Sequence, residues 1–119
     1  MVELALITPV VVILLIGIIQ FGILYNRQIA LQSAAREGAR ELALADTAAK
    51  VTAAQTTAIT ASGFSSTQVS TTVNSNCIGA SGNAPQARMT LSMPSSLDIP
   101  FLFSRSITLT ASAQMRCGL

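Results

Sequence analysis

Two cysteines, five side-chain carboxylates and no histidine are the chemical repertoire of this 119-residue chain. Metal centres and acid–base catalysis draw on His, Cys, Asp and Glu brought together in groups. The carboxylates here are Glu3, Glu37, Glu41, Asp46 and Asp98, scattered along the chain. Neither an enzyme nor a cofactor or metal is expected. The seven basic residues leave a net charge of +2 and are just as scattered, so no nucleic-acid partner is expected either. Two chemistries remain. Cys77 and Cys117 can be oxidised to a disulfide, and Glu3 can form an ion pair where a lone charge would be costly.

Glu3 stands at the lip of "LALITPVVVILLIGIIQFGILY", residues 4–25, which carry no charge at all. As a helix they would span about 33 Å, enough for the hydrocarbon core of a bilayer. A secretory signal is the competing reading, but its apolar region would be shorter and would end at a small-residue cleavage site. Here the run passes into further helix, and Tyr25 followed by Arg27 marks a water interface. Residues 1–25 are therefore expected to form a membrane-inserted helix. Arg27, Arg36 and Arg40 would place the side after it in the cytoplasm by the positive-inside rule, whereas a disulfide would place that side outside. A basic leader before Met1, since removed, would reconcile the two.

The elements that must position these groups follow from pattern. Residues 26–61 hold no proline, one glycine and many strong helix formers, so the helix is expected to continue through them. Asp46 and Lys50, four apart, and Glu37 and Arg40, three apart, would support it. Gly63 in "SGFSS" is the expected C-terminal cap. The result would be one rod of roughly 60 residues and about 85–90 Å, open to bending at Pro9, where a hydrogen bond is lost. Ala30, Ala34 and Gly38 form one row of small residues, and Ala35, Ala39 and Ala43 a second. Four-residue spacing puts each row on one face, where another helix can approach closely. The plainer alternative is that alanine simply favours helix.

Beyond Ser62 the period changes to two. Val69, Thr71, Val73, Ser75 and Cys77 share one parity, as do Ala87, Met89, Leu91 and Met93. In "SITLTASAQMRC" Ile107, Leu109, Ala111, Ala113, Met115 and Cys117 alternate with polar residues, the mark of a half-buried antiparallel strand. "GASGNAP" reads as a loop, and the prolines of "PSSLDIPFLFSR" argue against a central strand there. "FLF", residues 101–103, either fills the edge of the core or stays exposed. Three strands need a cover, and the nearest is the end of the long helix around Val51, Ala54, Ala58 and Ile59. The expected fold is α+β, with residues 62–119 forming a small, mainly antiparallel head on the C-terminal part of the helix.

Cys77 and Cys117 each close a strand on its apolar parity. Two buried free thiols are one reading, but an even pair in a small head with a thin core reads better as a disulfide. It would bring the ends of the first and third strands together, either as parallel neighbours or as the curled tips of a meander.

"MVELALITPVVVILLIGIIQFG", followed by "LQSAAREGARELAL", resembles the TadE-type pilin-like proteins of the Tad (Flp, type IVb) pilus, and "ITLTASAQMR" resembles their last strand. The resemblance implies a subunit made with a short leader, cut by a prepilin peptidase, and held as a single-pass precursor in the inner membrane. It would then pass into an extracellular filament of identical or related pilin subunits, driven by an assembly ATPase and platform. Glu3 matches the glutamate that is usually fifth in the mature family chain, yet it is third here, so either two mature residues are expected to be missing as well as the leader, or the cut site differs. Its carboxylate would pair with the new α-amino group of a neighbour or of its own chain. Assembly is expected to use Glu3, Pro9, Ala30, Ala34, Ala35, Gly38 and Ala39. The alternatives are a minor or anchored accessory subunit that initiates or caps filaments, and an unrelated single-pass protein that binds through "PFLF".

Overall fold

The computed structural model describes residues 1–79 and 85–117, so most of the expected loop at 79–85 lies outside the described residues. Two helices stand where one was expected: α1 (Val2–Ala43) and α2 (Ala48–Ser62). The break has a local cause. Thr47 adopts an extended backbone (φ −133°, ψ 158°), and its hydroxyl accepts the Lys50 N–H at 3.4 Å, an N-cap for a new helix. Asp46 pairs with Lys50 at 2.7 Å, but from the break rather than from mid-helix. After the break α2 returns along α1, so that Ala58 lies against Gly38. The molecule is therefore 72 Å in its longest dimension, shorter than the expected rod. Gly63 does end α2, in the left-handed region at φ 78°, with its N–H donated to the Thr60 carbonyl.

The strands β1 (Ser70–Ser75), β2 (Gln86–Ile99) and β3 (Phe103–Arg116) form an antiparallel meander in the order β1-β2-β3. β2 is central and contains Pro94, against the expectation from its prolines. The register explains the tolerance. β1 pairs with β2 only as far as Ser70↔Ser92, so Pro94 lies past its end and needs a partner on one side alone. The parity of Ala87, Met89, Leu91 and Met93 consequently runs on through Ser95, Leu97 and Ile99, and all seven are buried.

The architecture is α+β, with the sheet laid along the long helix. Its cover is the C-terminal half of α1, with α2 beside it. Leu31, Ala34, Ala35 and Leu42 meet Met89, Leu91, Met93 and Ala111, while Ala54 and Ala58 of α2 close the flank. Leu31 and Leu42 are fully buried, each contributing roughly 1.5–3 kcal/mol relative to exposure.

Candidate assembly and membrane surface

One unbroken helix carries two environments. From Val2 to Val12 every residue is exposed, including Glu3 in the first turn and Pro9. A carboxylate in a first turn is favoured by the unpaired N–H groups and the helix dipole, so Glu3 has a local stabilising role whatever else it meets. Pro9 lies inside the helix, where it has no N–H to give the Ala5 carbonyl, and the helix continues through it. The apolar half is long and hydrophobic enough to cross a membrane, with a mean hydropathy of 2.8 over its best window and none of that window buried.

The small-residue rows sit on the other half, and they face inward. Ala34, Ala35 and Ala39 are fully buried, Gly38 and Ala43 are buried, and Ala30 is half-buried. A Cβ added at Gly38 would come within 2.5 Å of Met89 Sδ and 2.6 Å of Ala58 Cβ. Close helix approach does occur there, but the helix is α2 of the same chain. The rows thus carry intramolecular packing.

The structure adds a contact that the sequence pattern did not reveal. The β2–β3 hairpin runs down α1 towards its apolar half. Arg27 donates to Ser95 Oγ at 2.8 Å, and Gln28 and Gln32 donate to the Thr110 and Ser112 carbonyls. Lower down, Leu97 and Ile99 cluster with Leu24, joined by Ile13, Ile107 and Leu109. Ile99 and Leu102 complete an apolar groove of about 610 Å³ whose helical wall includes Val10, Leu14, Gly17 and Phe21. The "FLF" segment is on the surface: Phe101, Leu102 and Phe103 are all exposed. The signal for this contact is the apolar parity that continues past Pro94 to Leu97 and Ile99.

Cys77 and Cys117 form a disulfide, with Cα atoms 5.7 Å apart. β1 and β3 flank β2, and their ends meet over its start, where the Cys117 N–H also donates to the Pro85 carbonyl. The meander with joined tips is the arrangement realised. A closed loop with a sequence separation of 40 removes about 4 kcal/mol of chain entropy from the unfolded state.

Residues 1–40 match the model of the TadE-like protein family. The match takes in the bare half of α1 with Glu3 and Pro9, together with most of the small-residue rows, and ends before α2 and the sheet. No curated protein and no solved structure matches the chain. The TadE-like region is thus carried by the membrane-type helix α1.

Proposed function

We propose that this chain is a structural, non-catalytic pilin-like subunit of a Tad-type pilus. It is held in the membrane by α1 and then assembled through the same helix into an extracellular filament. The observation that carries the reading is the bare half of α1: a long apolar surface left uncovered by its own fold, in the region that matches the TadE-like family. Such a surface needs lipid first and other apolar helices afterwards. The sheet and disulfide would then lie outside the cytoplasm.

Glu3 would give the helix bundle its axial register. A carboxylate among apolar helices is costly unless paired, and a neighbour's α-amino group supplies the partner. Removing one member of such a pair costs about 3–5 kcal/mol, enough to stop growth of a polymer. Glu3→Gln keeps the shape and removes the charge. At equal expression it should insert normally and form the disulfide, while filaments vanish or become scarce on electron micrographs. Filaments as abundant as the parent's would leave Glu3 as a helix-terminal carboxylate only.

A second reading, an anchored accessory subunit that initiates or caps filaments, is favoured by one observation. The hairpin already occupies the α1 face around Ile13 and Leu24, and the small-residue rows are used internally. Fewer helix faces stay free than a subunit surrounded on all sides would use. Purified filaments composed mainly of this chain support the first reading, and filaments with trace amounts support the second.

A further inference from the structure

We infer that the tip of the β2–β3 hairpin, residues 100–103, is a second lipid-contacting element that enters the same bilayer as α1. The inference rests on the membrane insertion of α1 proposed above. It begins from a turn occupied by an ill-suited residue. The Leu102 N–H donates to the Ile99 carbonyl at 3.2 Å, with Pro100 second and Phe101 third, and Phe101 has φ 67°. This is the form of a type II turn, whose third position favours Gly or Asn. A bulky side chain in the left-handed region is uncommon, and such positions collect at functional sites. Burial does not compensate, because Phe101 is 98% exposed. Leu102 and Phe103 beside it are exposed as well. Neither buried cluster of the described residues takes in any of the three.

The position of these residues selects what surrounds them. Leu102 and Ile99 share a groove with the apolar half of α1, so the tip is continuous with the membrane-type surface of the helix. Whatever surrounds that surface also reaches residues 100–103. Depth then follows from the charges. If hydrocarbon began at Tyr25, exposed Asp98 and Arg105 would be immersed in it, together with the unpaired edge of β2 beyond Ser92. Open strand edges and unpaired charges are not tolerated in hydrocarbon. If the hydrocarbon begins at the tip, only Pro100, Phe101, Leu102 and Phe103 enter, and both charges remain in water. Residues 4–17 of α1 would then cross about 21 Å, less than a core of about 30 Å, and local thinning accommodates a short span at modest cost. Residues 18–25 would rise through the headgroup layer. The membrane boundary thus meets the molecule at the hairpin tip, not at Tyr25.

The chain has no tryptophan, so single-tryptophan variants report without background. Phe101→Trp and Leu14→Trp would be prepared in the full chain, checked for the intact disulfide, and placed in phosphatidylcholine vesicles with lipids brominated at shallow or deep acyl positions. The expected result is quenching of Leu14→Trp by both labels, and blue-shifted emission of Phe101→Trp quenched more by the shallow one. Quenching of Leu14→Trp with water-like, unquenched emission from Phe101→Trp overturns the tip assignment and leaves the α1 reading intact. Absence of quenching at both positions overturns both. A blue shift of Phe101→Trp that grows with protein density, without quenching by either lipid, assigns the tip to a second copy of the chain and overturns the lipid assignment.

Discussion

The two halves of α1 differ in a way that reverses the usual association of hydrophobicity with burial. The N-terminal half is crowded with Val, Ile and Leu and is mostly exposed, whereas the C-terminal half carries the alanines, Gly38 and a few leucines and is packed on one side. Large aliphatic side chains on every face serve a helix whose surroundings are apolar in all directions. Small side chains on one face serve a helix that must let a sheet and a second helix come close. The change falls near Leu24, the first buried position, without any break in the helix.

That contrast can be broken most forcefully at the disulfide. Replacing Cys77 and Cys117 together by Ser should destabilise the packed region by about 4 kcal/mol. Hydrogen exchange of the full chain in detergent should then show faster exchange over β1, β2 and β3 while residues 2–23 are unaffected. Equal loss in both halves would mean that they unfold as one unit. A smaller effect is expected at Gly38. Gly38→Ala forces a methyl into Met89 and Ala58, and overpacking of this kind costs about 1–3 kcal/mol. Ile7→Ala, on a bare face, should leave the denaturation midpoint of the head within experimental error. If Gly38→Ala is as silent as Ile7→Ala, the close approach of α2 is not maintained in solution. The smallest effect belongs to Asp46. Its carboxyl is held below the ordinary carboxylate range by the hydrogen bond from Lys50 and by that ammonium's charge. A depressed value in the folded state means that the contribution is present above the unfolded carboxylate value and is lost as pH falls from there through the lower folded value. Acidification should therefore loosen the first turn of α2 in amide exchange without moving the global midpoint, because the pair is exposed.

Most of this fold was legible because periodicity reports directly on burial. The apolar run, the alternation in "SITLTASAQMRC", the cap at Gly63 and the pairing of the cysteines all reappear in the structure. The break at 44–47 went unseen because alanine-rich sequence on both sides outweighed two polar residues, although an Asp-Thr pair before such a run is also an N-cap signal. The four-residue spacing of the small residues marks a surface suited to close packing. Spacing alone does not say whether the approaching helix belongs to the same chain. The hairpin's descent along α1 was hidden by Pro94, which excludes a fully paired strand but not one whose neighbour has already ended.

Pro94 has one more consequence. Past Ser92 the outer rim of β2 has no neighbouring strand, and a bare ladder of amides and carbonyls is a template on which a stray chain can grow. Natural sheets blunt such rims with imino acids and charges, and this one places Pro94 and then Asp98 along it. In the proposed function, copies of this hairpin would meet repeatedly in a membrane or a fibre. The missing donor at position 94 interrupts the row of hydrogen bonds that an unwanted cross-β contact would need.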